Sequence, residues 1–372
     1  MNLRNPLPRL ACLLGAALLS TPVWAQEAWV IGQSAPLTGG NAAFGADIRD
    51  GALAYFKSVN TRGGVNGKNI ELVTLDDGND RKKAGVNTQK LLADGAVALF
   101  GYASATSSLD AMPQADKAGV LFFAPFSGAT PVRTGPPVVF TLRASYGDEL
   151  EKMLAFWTGV GARNVVVVHY DDEVGIQNFA VVAEYLKKQG KTPGDFSIKR
   201  NQKLEPADVE RLKALKPDVI INTVLSTPAA VISKQLVASQ AMIPMSSLSF
   251  VGADQYIKAA GEAGAGVSIT QVVPNPTARQ PVVAECARAM QEAGMKQTMN
   301  SAHLESCIGA KVLTEALRRS KKPGDARAVL AGFQSLGRYD TGGFVVTYGP
   351  GQNHGSKFVE LSMVTRDGRL RN

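Results

Sequence analysis

The chain has 372 residues, a formal net charge of +8, 45% hydrophobic and 19% charged residues, and only three cysteines and three histidines. That length is enough for two ordinary domain cores, while so few thiols and imidazoles make a metal centre hard to build. The lysines and arginines are scattered, mostly beside acids and without interleaved aromatics, so the positive excess argues against a nucleic-acid surface and for solubility and attraction of anions.

Residues 1–25 read as a secretory signal. Arg4 and Arg9 precede an apolar core from Leu10 to Leu19, and Val23-Trp24-Ala25 offers small residues for cleavage. The alternative, a retained anchor, needs a longer apolar run than this one. Cys12 lies too near the start of the signal for a lipoprotein site. The expectation is a soluble, periplasmic chain beginning near Gln26.

The next stretch, Val30 to Asp77, reads as a strand, a loop, a helix, a turn and a second strand. Val30 and Ile31 open the first strand, which breaks into a Pro/Gly-rich loop from Ala35 to Gly40. Phe44, Ile48, Ala52, Tyr55 and Val59 then follow the spacing of one buried helical stripe. Gly63 to Gly67 forms a turn, and Ile70 to Leu75 ends in paired aspartates. The first loop opens at the C-terminal end of a strand, where ligands bind in open α/β sheets.

Further apolar strands are expected at Val97–Phe100, Val120–Ala124, Val165–His169, Val219–Thr223, Leu248–Val251 and Val267–Val272, with amphipathic helices between them. Continuous apolar strands alternating with helices imply parallel sheets covered on both faces. These units are too many for one sheet, so the fold class is α/β with two doubly wound lobes. Pro136-Pro137, the run Pro274, Pro276 and Pro281, and the GPGQNHGS stretch from Gly349 mark three breaks, read as three crossovers. The first lobe is assigned to 26–143 plus 275–355, and the second to 144–274 plus 356–372, which ends in an alternating strand from Phe358 to Val364.

Enzyme motifs fail one by one. Gly63 to Asn69 lacks the first glycine and the final Ser/Thr of a P-loop, and no nucleophile elbow, zinc-protease or C-x-x-C motif occurs. Asp76 to Asp80 cannot be an EF-hand loop, since Gly78 takes a ligand position and no Glu stands at position twelve. Capping and strand-end acids are the better reading there. His169 ends a strand, but no nucleophile accompanies it, so a structural hydrogen bond is expected. The chain is therefore read as non-enzymatic, with no catalytic residue, metal or cofactor.

What remains is a set of polar and aromatic residues at strand ends. Tyr102, Ser104, Ala105 and Thr106 follow one strand, and Phe126, Ser127 and Gly128 follow the next. Hydroxyls and free amides at helix starts suit a carboxylate, with plain helix capping as the alternative. Phe44 and Phe126 can wall a pocket or belong to the core. Asp254 either holds a ligand ammonium group or caps the next helix. Cys286 and Cys307 lie on helical patterns in an exported chain, so a disulfide is expected, with two separately buried thiols as the alternative.

These residues also carry a family resemblance. GQSAPLTG from Gly32, DGALAYFKSVNTRGGVNGKNIELVTLDDGND from Asp50, GVLFFAPFSGA from Gly119, LRASYGDE from Leu142, SFVGAD from Ser249 and QVVPNP from Gln271 resemble, in order, the periplasmic binding proteins of branched-chain amino-acid ABC transporters. The resemblance implies a type I fold, a two-lobed clamp with three crossovers, whose first lobe grips a carboxylate through Ser104–Thr106 and through Ser127 and Gly128. It implies Phe44 as the first-loop aromatic and Asp254 as the partner of the ammonium. The chain departs from the family pattern at Val174 and Leu225, where second-lobe aromatics are usual, and at Ala105, where a Ser or Thr is usual. The expected function is capture of a small carboxylate-bearing solute, an amino acid or small organic acid, by a monomer that delivers it to an ABC permease. A periplasmic sensor, and behind it an amidase or hydrolase, are the competing readings.

Overall fold

In the computed structural model, Met1 and residues 28–371 apart from 201, 321 and 323 are described; the signal read at residues 1–25 falls otherwise outside them. The first half alternates strands and helices: β1 (Trp29–Ala35), α1 (Ala42–Thr61), β2 (Ile70–Asp76), α2 (Arg81–Ala93), β3 (Ala98–Phe100), α3 (Ala105–Leu109), α4 (Met112–Ala118), β4 (Leu121–Phe123), α5 (Thr130–Arg133) and β5 (Val139–Phe140). The five strands form a wholly parallel sheet in the order β2-β1-β3-β4-β5.

The second unit begins at α6 (Tyr146–Gly159) and continues through β6 (Val165–Tyr170), α7 (Glu173–Lys187), β7 (Gly194–Ile198), α8 (Pro206–Ala214), β8 (Val219–Asn222), α9 (Ser226–Ala238), β9 (Met245–Ser247), α10 (Ala253–Ala260) and β10 (Ser268–Gln271). The chain then returns to the first sheet with α11 (Pro281–Glu292), α12 (Ser301–Arg319), α13 (Ala326–Gln334) and a hairpin of β11 (Gly337–Asp340) and β12 (Val345–Tyr348). It ends in the second sheet with β13 (Glu360–Val364) and β14 (Leu370–Arg371). That sheet runs β14-β13-β10-β9-β8-β6-β7, with β13 and β14 antiparallel at one edge. The chain thus passes between the sheets three times.

Local chemistry sets these elements. Asp80 caps α2 by accepting from the Lys83 amide at 2.8 Å, and Ser145 and Asp148 close a reciprocal capping box at the start of α6. Val165 to Val168 are fully buried, as a strand covered on both faces requires. Each such side chain contributes about 1.5–3 kcal/mol by leaving water. The α1 stripe of Ala52, Tyr55, Phe56 and Val59 joins α11, α12 and α13 in one core beneath the first sheet. Inside it Cys286 and Cys307 form a disulfide, Cα atoms 6.0 Å apart, tying α11 to α12.

One expected strand is misplaced. Leu248–Val251 is no strand: the ladder residues are Met245–Ser247, and Ser249–Val251 makes a 3-10 turn. The buried Glu149 on α6 explains the turn. Its carboxylate accepts from the Ser249 amide at 2.8 Å, the Ser249 hydroxyl at 3.0 Å and the Thr270 hydroxyl at 2.5 Å. Apolar residues alone could not reveal this pull from another helix.

Candidate functional site

The five parallel strands of the second sheet, β7-β6-β8-β9-β10, repeat the strand order of the first. In the first, β1 and β3 are neighbours from which the connections wind in opposite directions; in the second, β6 and β8 occupy the equivalent positions. Ligands of open α/β sheets bind at the carboxyl ends of strands at such switch points. Here the two carboxyl edges face each other, and the cavity between them is lined from both sides.

The first sheet contributes Pro36 to Phe44 after β1, Ala103 to Thr106 after β3 and Phe126 after β4. Ser104 is the N-cap of α3, where its hydroxyl accepts from the Ser107 amide at 3.1 Å. The Ala105 and Thr106 amides are the first of that helix and have no carbonyl partner within it. Phe44 and Phe126 meet edge to face at 6.0 Å and wall the cavity toward the hinge. The second sheet contributes Tyr170, Val174 and Gly175 after β6, Arg200 after β7, Thr223 to Ser226 after β8, and Phe250 to Gly252 with Gln255 after β9. Tyr146 reaches the cavity from the first crossover. Burial pushes the Tyr146 and Tyr170 phenols upward, so both remain neutral hydrogen-bond donors at neutral pH.

Of the residues singled out in the sequence, Phe44, Ser104, Ala105, Thr106, Phe126, Val174 and Leu225 come together around this cavity. Four do not line it. Tyr102 points away from the cavity, its ring 4.8 Å from Phe122 and its hydroxyl 2.8 Å from Thr88, because the left-handed Gly101 (φ 65°) ends β3 and turns Tyr102 to the side of Leu99. Ser127 is fully buried one layer behind, donating to the Tyr146 hydroxyl at 3.4 Å and accepting from the Ala129 amide at 3.2 Å. At Gly128 an added Cβ would lie 2.7 Å from the Tyr146 amide nitrogen, so this glycine lets the crossover pack and seats Tyr146. Asp254 is exposed in the first turn of α10 and lines a smaller neighbouring chamber with Arg143 and Glu305. Its helix neighbour Gln255 is the one that faces the main cavity.

The aromatics expected to be missing from the second lobe are present at other positions. Tyr170 stands one residue beyond His169, whose ring turns away, bonded to the Tyr170 carbonyl at 2.8 Å and to Asp195 at 3.1 Å. Phe250 stacks on Tyr146 at 5.2 Å, held by the Glu149-bonded turn. Arg200 follows β7, a short edge strand in which only Phe196 and Ile198 are buried apolar residues, so hydrophobic pattern gives no signal for it.

Asp76 fixes the first loop. Its carboxylate accepts from the Leu37 amide at 2.9 Å, the Thr38 hydroxyl at 2.7 Å and the Gly78 amide at 2.9 Å, with Lys83 at 3.3 Å. The Thr38 bond leads the groups that hold this carboxyl well below the usual carboxylate range. A depressed pKa gives stability that is present above the unfolded value near ~4 and lost as pH falls toward the folded one. Asp76→Asn is expected to weaken solute binding by roughly 3- to 10-fold, about the worth of one hydrogen bond. Its melting-temperature deficit should be widest above about pH 5 and shrink below about pH 4. Calorimetry and melting curves across pH check both.

A periplasmic binding protein family profile matches residues 28–369. The chain belongs to that family. Its fold is the type I fold of the branched-chain amino-acid branch. A structure of a possible leucine/isoleucine/valine-binding protein from Rhodopirellula baltica SH 1 superposes with a TM-score of 0.89 at 24% identity, covering 95% of this chain and 98% of that one. A substrate-binding periplasmic protein from Ralstonia solanacearum superposes at 0.85 with 29% identity, covering 92% and 99%. An amino acid binding protein from Pseudomonas aeruginosa is 31% identical over 150 residues, 39% of this chain; the match spans 40% of that curated relative's length.

Proposed function

We propose that this periplasmic binding protein is an exported, non-enzymatic monomer that closes its two lobes over a small carboxylate-bearing solute and delivers it to an ABC permease in the inner membrane. The observation that carries the reading is the pair of switch points facing each other across one cavity. The first contributes the free α3 amides and the Ser104 hydroxyl, and the second contributes Tyr170, Leu225 and Arg200. A carboxylate is the group that such amides and hydroxyls hold best. Solute contacts from both lobes form together only when the lobes approach, so binding and closure are one event.

Protein released from the periplasm by osmotic shock and sprayed under native conditions tests this reading. A monomer carrying one small acid is expected, and membrane vesicles bearing the cognate permease should take up that acid only when the protein is added. Turnover of a solute by the isolated protein would instead support the hydrolase reading.

A further inference from the structure

We infer that the cleft takes a carboxylic acid without an ammonium group and with a flat apolar body, and that Arg200 is the residue that selects for it. This rests on the solute-binding reading above and narrows it to a chemical class.

The charge of the cleft decides the matter. Among the described residues that line it, Arg200 is the only one charged at neutral pH, and no Asp or Glu is present. The nearby acid Asp172 is already engaged. One of its oxygens accepts from the Gly175 amide at 3.0 Å, and the other accepts from both Nε and Nη2 of Arg200. Asp254, the other acid offered by the sequence, sits in the neighbouring chamber. A ligand ammonium among these lining residues would lose its water with no carboxylate of the lining to replace it, since Asp254 stands beyond the wall of Phe44, Phe126, Gly252 and Gln255 that the two chambers share.

The donors point the same way. The second lobe presents Arg200, whose Nη1 has no partner among the described residues. Arg200 is held in place by Asp172 and by the Tyr170 ring, with its guanidinium carbon 4.2 Å from the ring centroid. A fixed planar guanidinium matches a carboxylate better than it matches any neutral group. Phe44, Phe126, Tyr146, Tyr170 and Phe250 supply the walls, which favour a flat apolar body between them.

Titration calorimetry of the mature protein with matched solutes tests the inference: 3-phenylpropionate against phenylalanine, and 4-methylpentanoate against leucine, each pair differing only by the ammonium. The acid of at least one pair is expected to bind at least ~30-fold tighter than its amino-acid counterpart, as for an unpaired desolvated charge. The uncharged 3-phenylpropanamide should bind the parent at least ~10-fold more weakly than 3-phenylpropionate does. Arg200→Gln should remove most of that acid-over-amide preference, bringing the two affinities to within about 3-fold of each other. An amino acid that binds as tightly as its deaminated counterpart overturns the proposal, as does a parent protein that does not distinguish acid from amide. If none of these probes binds, the solute retained from the periplasm decides: an amine-free acid upholds the inference and a primary amine overturns it. A protein that retains no solute and binds no probe removes the solute-binding reading itself, and the inference with it.

Discussion

Glu305→Gln is expected to lower stability by about 3–5 kcal/mol, the typical cost of leaving one member of a buried ion pair unpaired. Arg143 and Glu305 are 3% and 4% exposed, and they meet through two parallel bonds, Nε to Oε1 at 2.8 Å and Nη2 to Oε2 at 2.7 Å. Arg143 belongs to the first crossover and Glu305 to α12, so the pair fastens the hinge to the first lobe. It also holds the guanidinium 5.7 Å from the Phe126 ring at the edge of the cleft. In thermal unfolding the single variant should melt at least about 6 °C below the parent. The double change Arg143→Met with Glu305→Leu should recover only part of the loss, because Arg143 also faces the fully buried Glu149 carboxylate, which would be left without its cation. A single variant within about 1 kcal/mol of the parent would show that the pair is not the anchor its geometry indicates.

Gly175→Ala should damage stability and binding together. A Cβ at this position would lie 2.0 Å from the Tyr170 carbonyl oxygen and 2.7 Å from its carbon. Those are backbone atoms, so no side-chain rotation can relieve the overlap, and the first turn of α7 must move away from the end of β6. Tyr170, Asp172 and Val174 all hang on that junction, and Asp172 holds Arg200. The expected cost is about 1–3 kcal/mol in stability and at least ~10-fold in solute affinity, since a site displaced by about 1 Å loses its aligned contacts. Val174→Ala is the control: it shortens a half-buried side chain at the cavity wall and leaves the backbone where it is. Equal affinity and melting temperature for Gly175→Ala and the parent would refute the close approach.

The periodicity of the sequence reveals the scaffold and much of the first-lobe site. The β1-loop-α1-turn-β2 unit, the apolar strands and the three passages between sheets all rest on hydrophobic pattern and Pro/Gly punctuation, which act locally. Ser104 to Thr106 are legible for the same reason: a short apolar strand followed by hydroxyl residues places a helix start at a sheet edge. The errors have a different origin. Tyr102 and Ser127 are each next to a lining residue, and the left-handed turns at Gly101 and Ala124 that end β3 and β4 break the alternation that would have placed them. His169 makes the structural hydrogen bonds expected of it, while its neighbour Tyr170, which no local pattern singles out, faces the cleft. Arg200, Phe250 and the role of Glu149 depend on contacts between residues far apart in sequence, about 100 residues for Glu149 and Ser249. No local pattern encodes such a contact.

If solute binding and lobe closure are one event, the protein must become more compact as it fills. Small-angle scattering of the mature protein, measured after its solute is removed and again at saturation with the solute retained from the periplasm, tests it most directly. A smaller radius of gyration is expected in the saturated sample, with Gly175→Ala requiring more solute to reach the same compaction. Superimposable curves from the empty and saturated parent, with calorimetry confirming tight binding in the same buffer, would contradict it.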